Sequence, residues 1–451
     1  MVKNWLKKNG LELAISLLFI FALAVCFFLW QRSQRRLFWF TLLSAALSAG
    51  LFALFFLRAL PRWIQAIKNP EPLALPGERV KHAHLQALCL FALALAFYVV
   101  LTATARLIAG KNARFWDTFR LYGGLDTPSY FTIAKQGYTW RSDKGELLHL
   151  VFFPGYPTLC GLLLMVIPNE MVCGYLAAWI PFLLSGPVLY DLLRLDHGHW
   201  EAMRILLLIC LAPAAVFYAY PMSESLFLLC MACCLYFART KKWLAAGLWG
   251  LLASFTRMVG ILLLLPMAME WWAQFKTRPS GAPLRESLKD AACMLLTPLG
   301  LAFYLYINFT MAGDPFIFLQ YQQSNWHQHA SLFFSTAAMQ ADYAWRTLLD
   351  GKDPFWGLWL PNLMVGFGSL ALMAAAGKKL RPAYSALFAV YFCVCYGSSW
   401  LLSGPRYMAV FFPLAIAAEK LPIKRKGLLP LLILPFTAAY TVLFALRVHV
   451  W

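Results

Sequence analysis

Four charged side chains stand at or inside very apolar segments of this 451-residue chain. Asp126 lies in a polar loop just outside an apolar segment, where a carboxylate can act as a general base. Glu224 ends another apolar segment, and a carboxylate there is costly to bury unless it faces protein or a cavity. Arg257 interrupts an apolar stretch and Arg406 opens a late one, and a guanidinium can grip a phosphate through two hydrogen bonds. These residue types suit a reaction at a phosphate near the membrane surface.

Each of these residues also has a structural interpretation. Asp126 precedes a Thr-Pro pair, and aspartate favours both turns and helix caps. Glu224 would then be the charged end of a span, and Arg257 would be an internal ion-pair partner. Arg406 would extend its guanidinium to the membrane interface. The sequence leaves these alternatives open.

The composition indicates a membrane protein. Apolar residues make up 61% of the chain and charged residues 13%, whereas soluble domains are about 45–50% apolar. Runs of about 20 apolar residues can satisfy their backbone polar groups in hydrocarbon only as helices. The net charge of +19 comes mainly from Lys and Arg in short loops between these runs, a pattern of membrane topology and anionic headgroups. Membrane lipids are therefore expected partners, and nucleic acid is not.

The pattern predicts an all-α, polytopic transmembrane helical bundle of about thirteen spans. The stretch 155–168 is shorter than the ~17–25 residues that cross a bilayer, so we expect a re-entrant or interfacial helix there. The stretch 243–272 contains Arg257 and is expected to form two short helices that meet at this residue. The clear spans are 11–30, 37–60, 85–108, 171–193, 203–220, 224–239, 291–308, 354–376, 383–402, 407–420 and 428–447.

The basic loops predict the topology, and the amino terminus is expected to be an uncleaved first span. Three regions are expected: 1–84, two additional helices and a basic cytoplasmic linker; 85–427, the main membrane domain; and 428–451, a last helix. The exception to the positive-inside pattern is the group Arg32, Arg35 and Arg36. The loops expected in the cytoplasm are 61–84, 239–242, 273–290, 377–382 and 420–426, and those expected on the opposite face are 109–154, 221–224, 309–353 and 403–406.

The cysteines and histidines give no sign of a metal centre. All eleven cysteines lie in or beside apolar segments, so neither a disulfide framework nor a zinc site is expected. His327 and His329 lie on the expected outer face without a clear third ligand, so a divalent metal stays open but is not indicated. The chain also has no nucleotide-binding fingerprint, which a nucleotide-sugar enzyme would need.

Six short motifs resemble, in order, those of the GPI second-mannosyltransferase family and its bacterial relatives. The similarity covers roughly residues 85–420. This family belongs to the C-type superfamily of integral-membrane glycosyltransferases (GT-C), which take sugar from a polyprenyl phosphate. The motifs are Leu125-Asp126 through Tyr130 to Gly137-Tyr138, Phe152-Phe153-Pro154-Gly155-Tyr156-Pro157, Ser223-Glu224-Ser225, Thr256-Arg257, Gly313-Asp314-Pro315 and Pro405-Arg406-Tyr407.

The resemblance implies a role for each matching residue. Asp126 takes the place of the catalytic base, although Leu125 replaces a Trp and Ser129 stands where a His is common. Asp117 also follows a Trp and competes for this role, but the Tyr and Gly-Tyr spacing fits Asp126. Arg257 and Arg406 would bind the donor phosphate. The residues implied for acceptor or sugar binding are Ser223, Glu224, Tyr130, Tyr138, Asp314, Gln320, Gln323 and Trp326.

The resemblance therefore implies an inverting hexosyltransferase, mannosyltransferase-like, in the cell membrane. Its donor would be a polyprenyl-phosphate sugar and its acceptor a hydroxyl of a glycan or glycolipid, on the extracytoplasmic face. Two alternatives stay open. One is a polyprenyl-lipid or solute transporter without catalysis, because intramembrane Arg and Glu also mark transport pathways. The other is a ligase or polymerase of lipid-linked glycans, which would use a diphosphate donor.

Overall fold

The computed structural model describes residues 2–34, 38–70, 80–123, 125–279, 281 and 283–450. Within these ranges every regular element is a helix, apart from an isolated bridge between Ala330 and Ser398, so the all-α prediction is confirmed. Arg35 and Arg36, from the basic loop that breaks the topology pattern, lie outside the described residues. All eleven cysteines are free thiols.

The described residues form nineteen α-helices. They are α1 Val2–Ser33, α2 Trp39–Lys68, α3 Ala83–Ile108, α4 Thr127–Gln136, α5 Gly155–Leu164, α6 Glu170–Arg194, α7 His199–Cys210, α8 Glu224–Arg239, α9 Trp243–Thr256, α10 Leu264–Lys276, α11 Leu284–Met294, α12 Leu296–Ala312, α13 Ile317–Trp326, α14 Phe333–Leu349, α15 Leu360–Ala376, α16 Pro382–Cys395, α17 Gly404–Ala409, α18 Pro413–Glu419 and α19 Leu428–Ala445. Short 3-10 segments cover Phe115–Gly123, Leu148–Val151, Ala215–Ala219 and Met258–Leu263, and a π-helical turn covers Phe355–Trp359.

Eight helices of the described chain are long and apolar enough to cross a membrane, so the protein is a multi-pass membrane protein. They are Gly10–Ser33, Trp39–Lys68, Ala83–Ile108, Glu170–Arg194, Met258–Lys276, Leu284–Ala312, Phe355–Lys379 and Leu428–Ala445, and shorter apolar helices accompany them. Two predicted spans are broken in the structure. The span 203–220 ends as a helix at Cys210, before Pro213, and the span 407–420 is interrupted before Pro413. Proline supplies no backbone N–H and clashes with the preceding turn, an effect that hydropathy does not register.

The two remaining apolar stretches, 155–168 and 243–272, are helical, and the second is divided at Arg257 as predicted, although its part Met258–Lys276 is long enough to cross a membrane. The stretch 155–168 forms α5, whose ten residues are only about 15 Å long. The stretch 243–272 breaks at Arg257, where the backbone is extended (φ −151°, ψ 142°) between α9 and the 3-10 segment Met258–Leu263. How α5 lies relative to the bilayer stays a prediction, as does the division of the chain into domains.

Small residues bring the helices around Arg257 close together. The backbone of α9 approaches α12 at Gly250, where an added Cβ would meet the side chain of Thr297. At Gly260 a Cβ would meet the backbone of Ala253, so glycine permits the sharp reversal after Arg257. Such close approach is typical of helix packing in membranes, where small residues let backbones touch. The chain before and after Arg257 is therefore closely packed.

Candidate active site

Four charged side chains from four distant segments meet in one chain of contacts. Arg406 lies at the centre: its Nη2 donates to Oδ2 of Asp126 at 3.0 Å, and its Nε donates to Oε1 of Glu224 at 2.7 Å. Nη1 of Arg257 lies 3.0 Å from the same Oε1 atom. Two carboxylates and two guanidiniums sum to zero formal charge, which allows them to share a largely buried site. The structure therefore brings together the residues singled out in the sequence for charge chemistry.

Asp126 is the accessible carboxylate of this cluster. It precedes α4 in the capping position, but its side chain makes no capping hydrogen bond. Its side chain is 32% exposed, and among the described residues its Oδ1 atom has no hydrogen-bond partner. The preceding residue, Leu125, has a left-handed backbone (φ 60°), which a non-glycine residue adopts only under constraint. The capping interpretation is therefore not supported, and one carboxylate oxygen is left without a protein partner in the described chain.

Asp117, the competing acid, has a local structural role. Its Oδ2 accepts a hydrogen bond from the backbone N–H of Arg114 at 2.9 Å, at the start of the 3-10 segment Phe115–Gly123. No ion pair to Asp117 occurs within the described residues. This geometry is that of a turn-stabilising aspartate.

Glu224 is the buried carboxylate, with a side chain that is 1% exposed. It is the first residue of α8, where the helix dipole favours a negative charge. Its Oε1 accepts a hydrogen bond from Arg406 and forms an ion pair with Arg257. Its Oε2 is buried and has no hydrogen-bond partner in the described chain. The segment before it is held by Thr127, whose Oγ1 donates to the carbonyl of Pro221 at 2.9 Å. Glu224 therefore holds two arginines in place rather than facing solvent.

Arg257 combines an ion pair with unused donors. Its side chain is 12% exposed, and its guanidinium lies 5.1 Å from the ring centroid of Tyr407. The contact with Glu224 is close enough for an ion pair, but Nη1 makes no hydrogen bond within the described chain. The structure therefore contains the internal ion pair of Arg257 that the structural interpretation predicts. It leaves N–H groups that an anionic ligand can still accept from.

Arg406 is buried and fixed by its neighbours. Its side chain is 6% exposed, and the guanidinium lies 4.8 Å from the ring centroid of Phe217. The turn before it is anchored by Asn362, whose Oδ1 accepts from the backbone N–H of Gly404 at 2.9 Å. A Cβ on Gly404 would meet the Tyr396 hydroxyl at 2.7 Å, so the turn packs closely against this side chain. This burial differs from the interfacial interpretation, because Nε and Nη2 of Arg406 are already directed at carboxylates.

Tyr130 joins the cluster, whereas Tyr138 lies apart from it. Tyr130 is buried beside Ser223, and burial, reinforced by the charges of Asp126 and Glu224, raises the pKa of its hydroxyl. Its phenol is therefore a neutral hydrogen-bond donor at physiological pH. The Tyr138 hydroxyl donates to the carbonyl of Phe152 at 2.8 Å and supports the turn after α4.

The Asp314 side chain makes only local contacts. Oδ1 of Asp314 accepts from the backbone N–H of Phe316 at 2.8 Å, and Oδ2 accepts from Nε2 of Gln320 at 3.0 Å. Both bonds are local, as in an aspartate that starts a turn. Gln323 is exposed and Trp326 is half-buried on α13, which packs on α12 and the segment Leu148–Val151. Within the described residues, none of these side chains forms a hydrogen bond or ion pair with the charged cluster of Asp126, Glu224, Arg257 and Arg406.

Several residues that shape the site carried no sequence signal. Thr127 contacts the backbone carbonyl of Pro221, and Asn362 contacts the backbone N–H of Gly404. The ring of Phe217 faces the guanidinium of Arg406. Such contacts depend on tertiary packing, not on spacing along the chain. Within the described residues no group of three or more His, Cys, Asp or Glu is placed to hold a metal ion. His329 instead lies 3.1 Å, Nδ1 to Oγ, from Ser399.

Comparison with known proteins gave structural similarity alone. No family model matches the chain, and no curated protein matches it in sequence. The chain is similar to ArnT from Cupriavidus metallidurans bound to undecaprenyl phosphate, at 16% identity and a TM-score of 0.44, over 78% of this chain and 76% of that one. The apo state of the same protein gives 17% identity and the same TM-score and coverage. The donor-bound protein O-mannosyltransferase complex Pmt1-Pmt2 of S. cerevisiae gives 14% identity and a TM-score of 0.36, over 56% of this chain and 35% of that one.

Proposed function

We propose that the protein is a GT-C-like inverting membrane glycosyltransferase. It moves a hexose, mannose in the first instance, from a polyprenyl-phosphate donor to a hydroxyl of a glycan or glycolipid. The reaction takes place on the extracytoplasmic face of the membrane. The proposal rests on the ordered motifs in the sequence and on the charged cluster of Asp126, Arg406, Glu224 and Arg257.

The accessible side chain of Asp126 is the observation that carries the proposal. A base must reach the acceptor hydroxyl, and Asp126 is 32% exposed where Glu224 is 1% exposed. Arg406 holds one carboxylate oxygen at 3.0 Å, and the other has no hydrogen-bond partner among the described residues. This division of labour, one oxygen anchored and one available, fits a general base whose orientation is fixed by a neighbouring cation.

The proposed step is a single in-line displacement. Asp126 takes the proton from the acceptor hydroxyl while the oxygen of that hydroxyl forms a bond to the anomeric carbon of the donor sugar. The bond between that carbon and the phosphate oxygen breaks, and polyprenyl phosphate leaves with the electron pair. One displacement inverts the configuration at the anomeric carbon.

Arg257 is the proposed phosphate-binding residue. Its partly exposed guanidinium keeps donors that no protein group accepts within the described residues. A phosphate oxygen can accept two of these N–H groups in the planar geometry that guanidinium offers. Arg406 was expected to share this role; because it already bonds two carboxylates, we propose that it mainly positions Asp126.

The sugar-binding residues form two proposed groups. Tyr130, Ser223 and Glu224 adjoin the charged cluster and would contact the reacting sugar or hold the groups that do. Asp314, Gln320, Gln323 and Trp326 lie on and before α13 and would contact a more distant part of the acceptor. Tyr138 would act only through the turn that it supports.

Donor cleavage is the direct test. Purified protein is incubated with a panel of polyprenyl-phosphate sugars and hydroxyl acceptors, and release of polyprenyl phosphate is followed together with the anomeric configuration of the product. Inverted product that depends on Asp126 supports the proposal. Binding without any release would favour the transporter, and cleavage only of a polyprenyl-diphosphate glycan would favour the ligase or polymerase.

A further inference from the structure

A pocket at the other end of the bundle is lined by four cationic side chains. It has a volume of about 140 Å³, and Arg62, Lys379, Arg381 and Lys420 line it together with a single acid, Asp196. This volume is many times the ~10–15 Å³ needed for one water. We call these five residues and the space between them the basic pocket.

The basic pocket is remote from the charged cluster. Helix α8 begins at Glu224 and ends at Arg239, and Arg239 donates from Nη2 to Oδ1 of Asp196 at 2.8 Å. Fifteen helical steps of 1.5 Å place the two ends about 22 Å apart. The pocket is therefore a separate site, at the end of the bundle that the basic loops assign to the cytoplasm.

The acids around the pocket already have cationic partners. Asp196 is paired with Arg239, and Arg381 donates from Nη2 to Oε2 of Glu270 at 2.7 Å. Lys420 lies 2.7 Å, Nζ to Oε1, from Glu201.

Lys379 adds a cation that these acids do not balance. Its Nζ donates to the carbonyl of Lys420 at 2.9 Å, and no carboxylate of the described chain lies within ion-pair distance of it. His197 also lines the pocket; burial lowers its pKa, so its ring is neutral near pH 7. The lining therefore has an excess of positive charge that a bound anion would neutralise.

We propose that the basic pocket binds a phosphate group, either of an anionic lipid headgroup or as free phosphate. Arginine and lysine together supply the planar fork and the point charge that phosphate oxygens accept from. Basic pockets between transmembrane helices on the cytoplasmic side are suited to lipid headgroups. The pocket lies between four segments of the chain: α2, the α6–α7 connection, the α15–α16 connection and α18. A bound phosphate would contact these segments together and stabilise their packing.

The test uses thermal unfolding of the purified full chain in non-ionic detergent. The probes are phosphatidylglycerol, phosphatidylcholine with the same acyl chains, and inorganic phosphate at constant ionic strength. The variant Arg62→Gln/Lys379→Gln removes one arginine and one lysine that are exposed at the pocket. The control Lys424→Gln/Arg425→Gln removes the same two charges from exposed positions that do not line it.

Phosphatidylglycerol should raise the Tm of wild type and control by about 2 °C or more, and most of this rise should be lost in the pocket variant. A rise with phosphatidylglycerol alone identifies the lipid as the source. An additional pocket-dependent rise with inorganic phosphate shows that free phosphate suffices. Equal shifts of Tm in the two double variants would overturn the proposal. So would the absence of a shift with both phosphatidylglycerol and inorganic phosphate.

Discussion

Nη2 of Arg406 lies 3.0 Å from Oδ2 of Asp126, although 280 residues separate them in sequence. A charge-assisted hydrogen bond of this kind orients the carboxylate as well as stabilising it. Because Arg406 also donates to buried Glu224, the position of the proposed base is fixed to the start of α8. In the proposed mechanism, the orientation of the base therefore depends on Arg406 and, through it, on Glu224.

The first prediction concerns the proposed base. Asp126→Asn should lower the rate of transfer by about 10²–10⁴-fold, because the amide cannot take the acceptor proton. Its Tm should stay close to that of wild type, since the amide oxygen can still accept from Arg406. Transfer is measured as release of polyprenyl phosphate. Asp117→Asn is the matched control; a large loss of activity there, with full activity in Asp126→Asn, would transfer the role to Asp117.

The second prediction concerns the buried acid. Glu224→Gln leaves Arg257 and Arg406 with one carboxylate between them, so stability should fall by about 3–5 kcal/mol. The control is Glu419→Gln: Glu419 is also buried, but its partner Arg204 is 36% exposed and can be solvated. Thermal unfolding in detergent compares the two. Equal losses of stability would mean that the arginines at Glu224 do not depend on its charge.

The third prediction separates the two roles of Arg257. Arg257→Lys keeps the charge beside Glu224 but loses the planar fork. We expect the Tm without donor to change little and the rise in Tm on adding a polyprenyl-phosphate sugar to shrink strongly. Arg346→Lys, at an exposed helical ion pair with Asp342, is the control. If the donor-induced rise is unchanged in both Arg257→Lys and Arg257→Ala, Arg257 is not part of the donor site.

The sequence was sufficient to predict the class of fold and to single out the four charged residues that meet in the structure. The break at Arg257 was predictable because an arginine inside an apolar helix has a high energetic cost in lipid. The breaks at Pro213 and Pro413 were missed because hydropathy counts apolar side chains and ignores backbone donors. The pairing of Arg406 with Asp126 and Glu224 was not predictable, since no spacing relates segments that meet only through tertiary packing.

The fourth prediction concerns topology. A single cysteine at position 144 should be labelled from outside and one at position 276 only after permeabilisation, because the basic loops assign the two residues to opposite faces. Lys144 and Lys276 are both exposed, so access is not limited by packing. The background needs replacement of only the four less buried thiols, Cys26, Cys89, Cys293 and Cys393. Labelling of both positions from one side would contradict the assignment of 155–168 as non-spanning.

The last prediction tests whether close packing positions Arg257. A Cβ on Gly155 would meet the side chain of Thr256 and approach its Cα to 2.8 Å, so Gly155→Ala must push α5 away from the end of α9. We expect a loss of about 1–3 kcal/mol in stability, as for other overpacked sites, together with a smaller donor-induced rise in Tm, because Arg257 follows Thr256 directly. Gly368→Ala is the control: Gly368 is an exposed residue of α15 with nothing within 4 Å of the added Cβ, and the substitution should be neutral or slightly stabilising. The contrary outcome is that Gly155→Ala and Gly368→Ala have the same Tm and the same donor-induced rise in Tm. It would show that Arg257 is held by its ion pair with Glu224 rather than by the contact between α5 and α9.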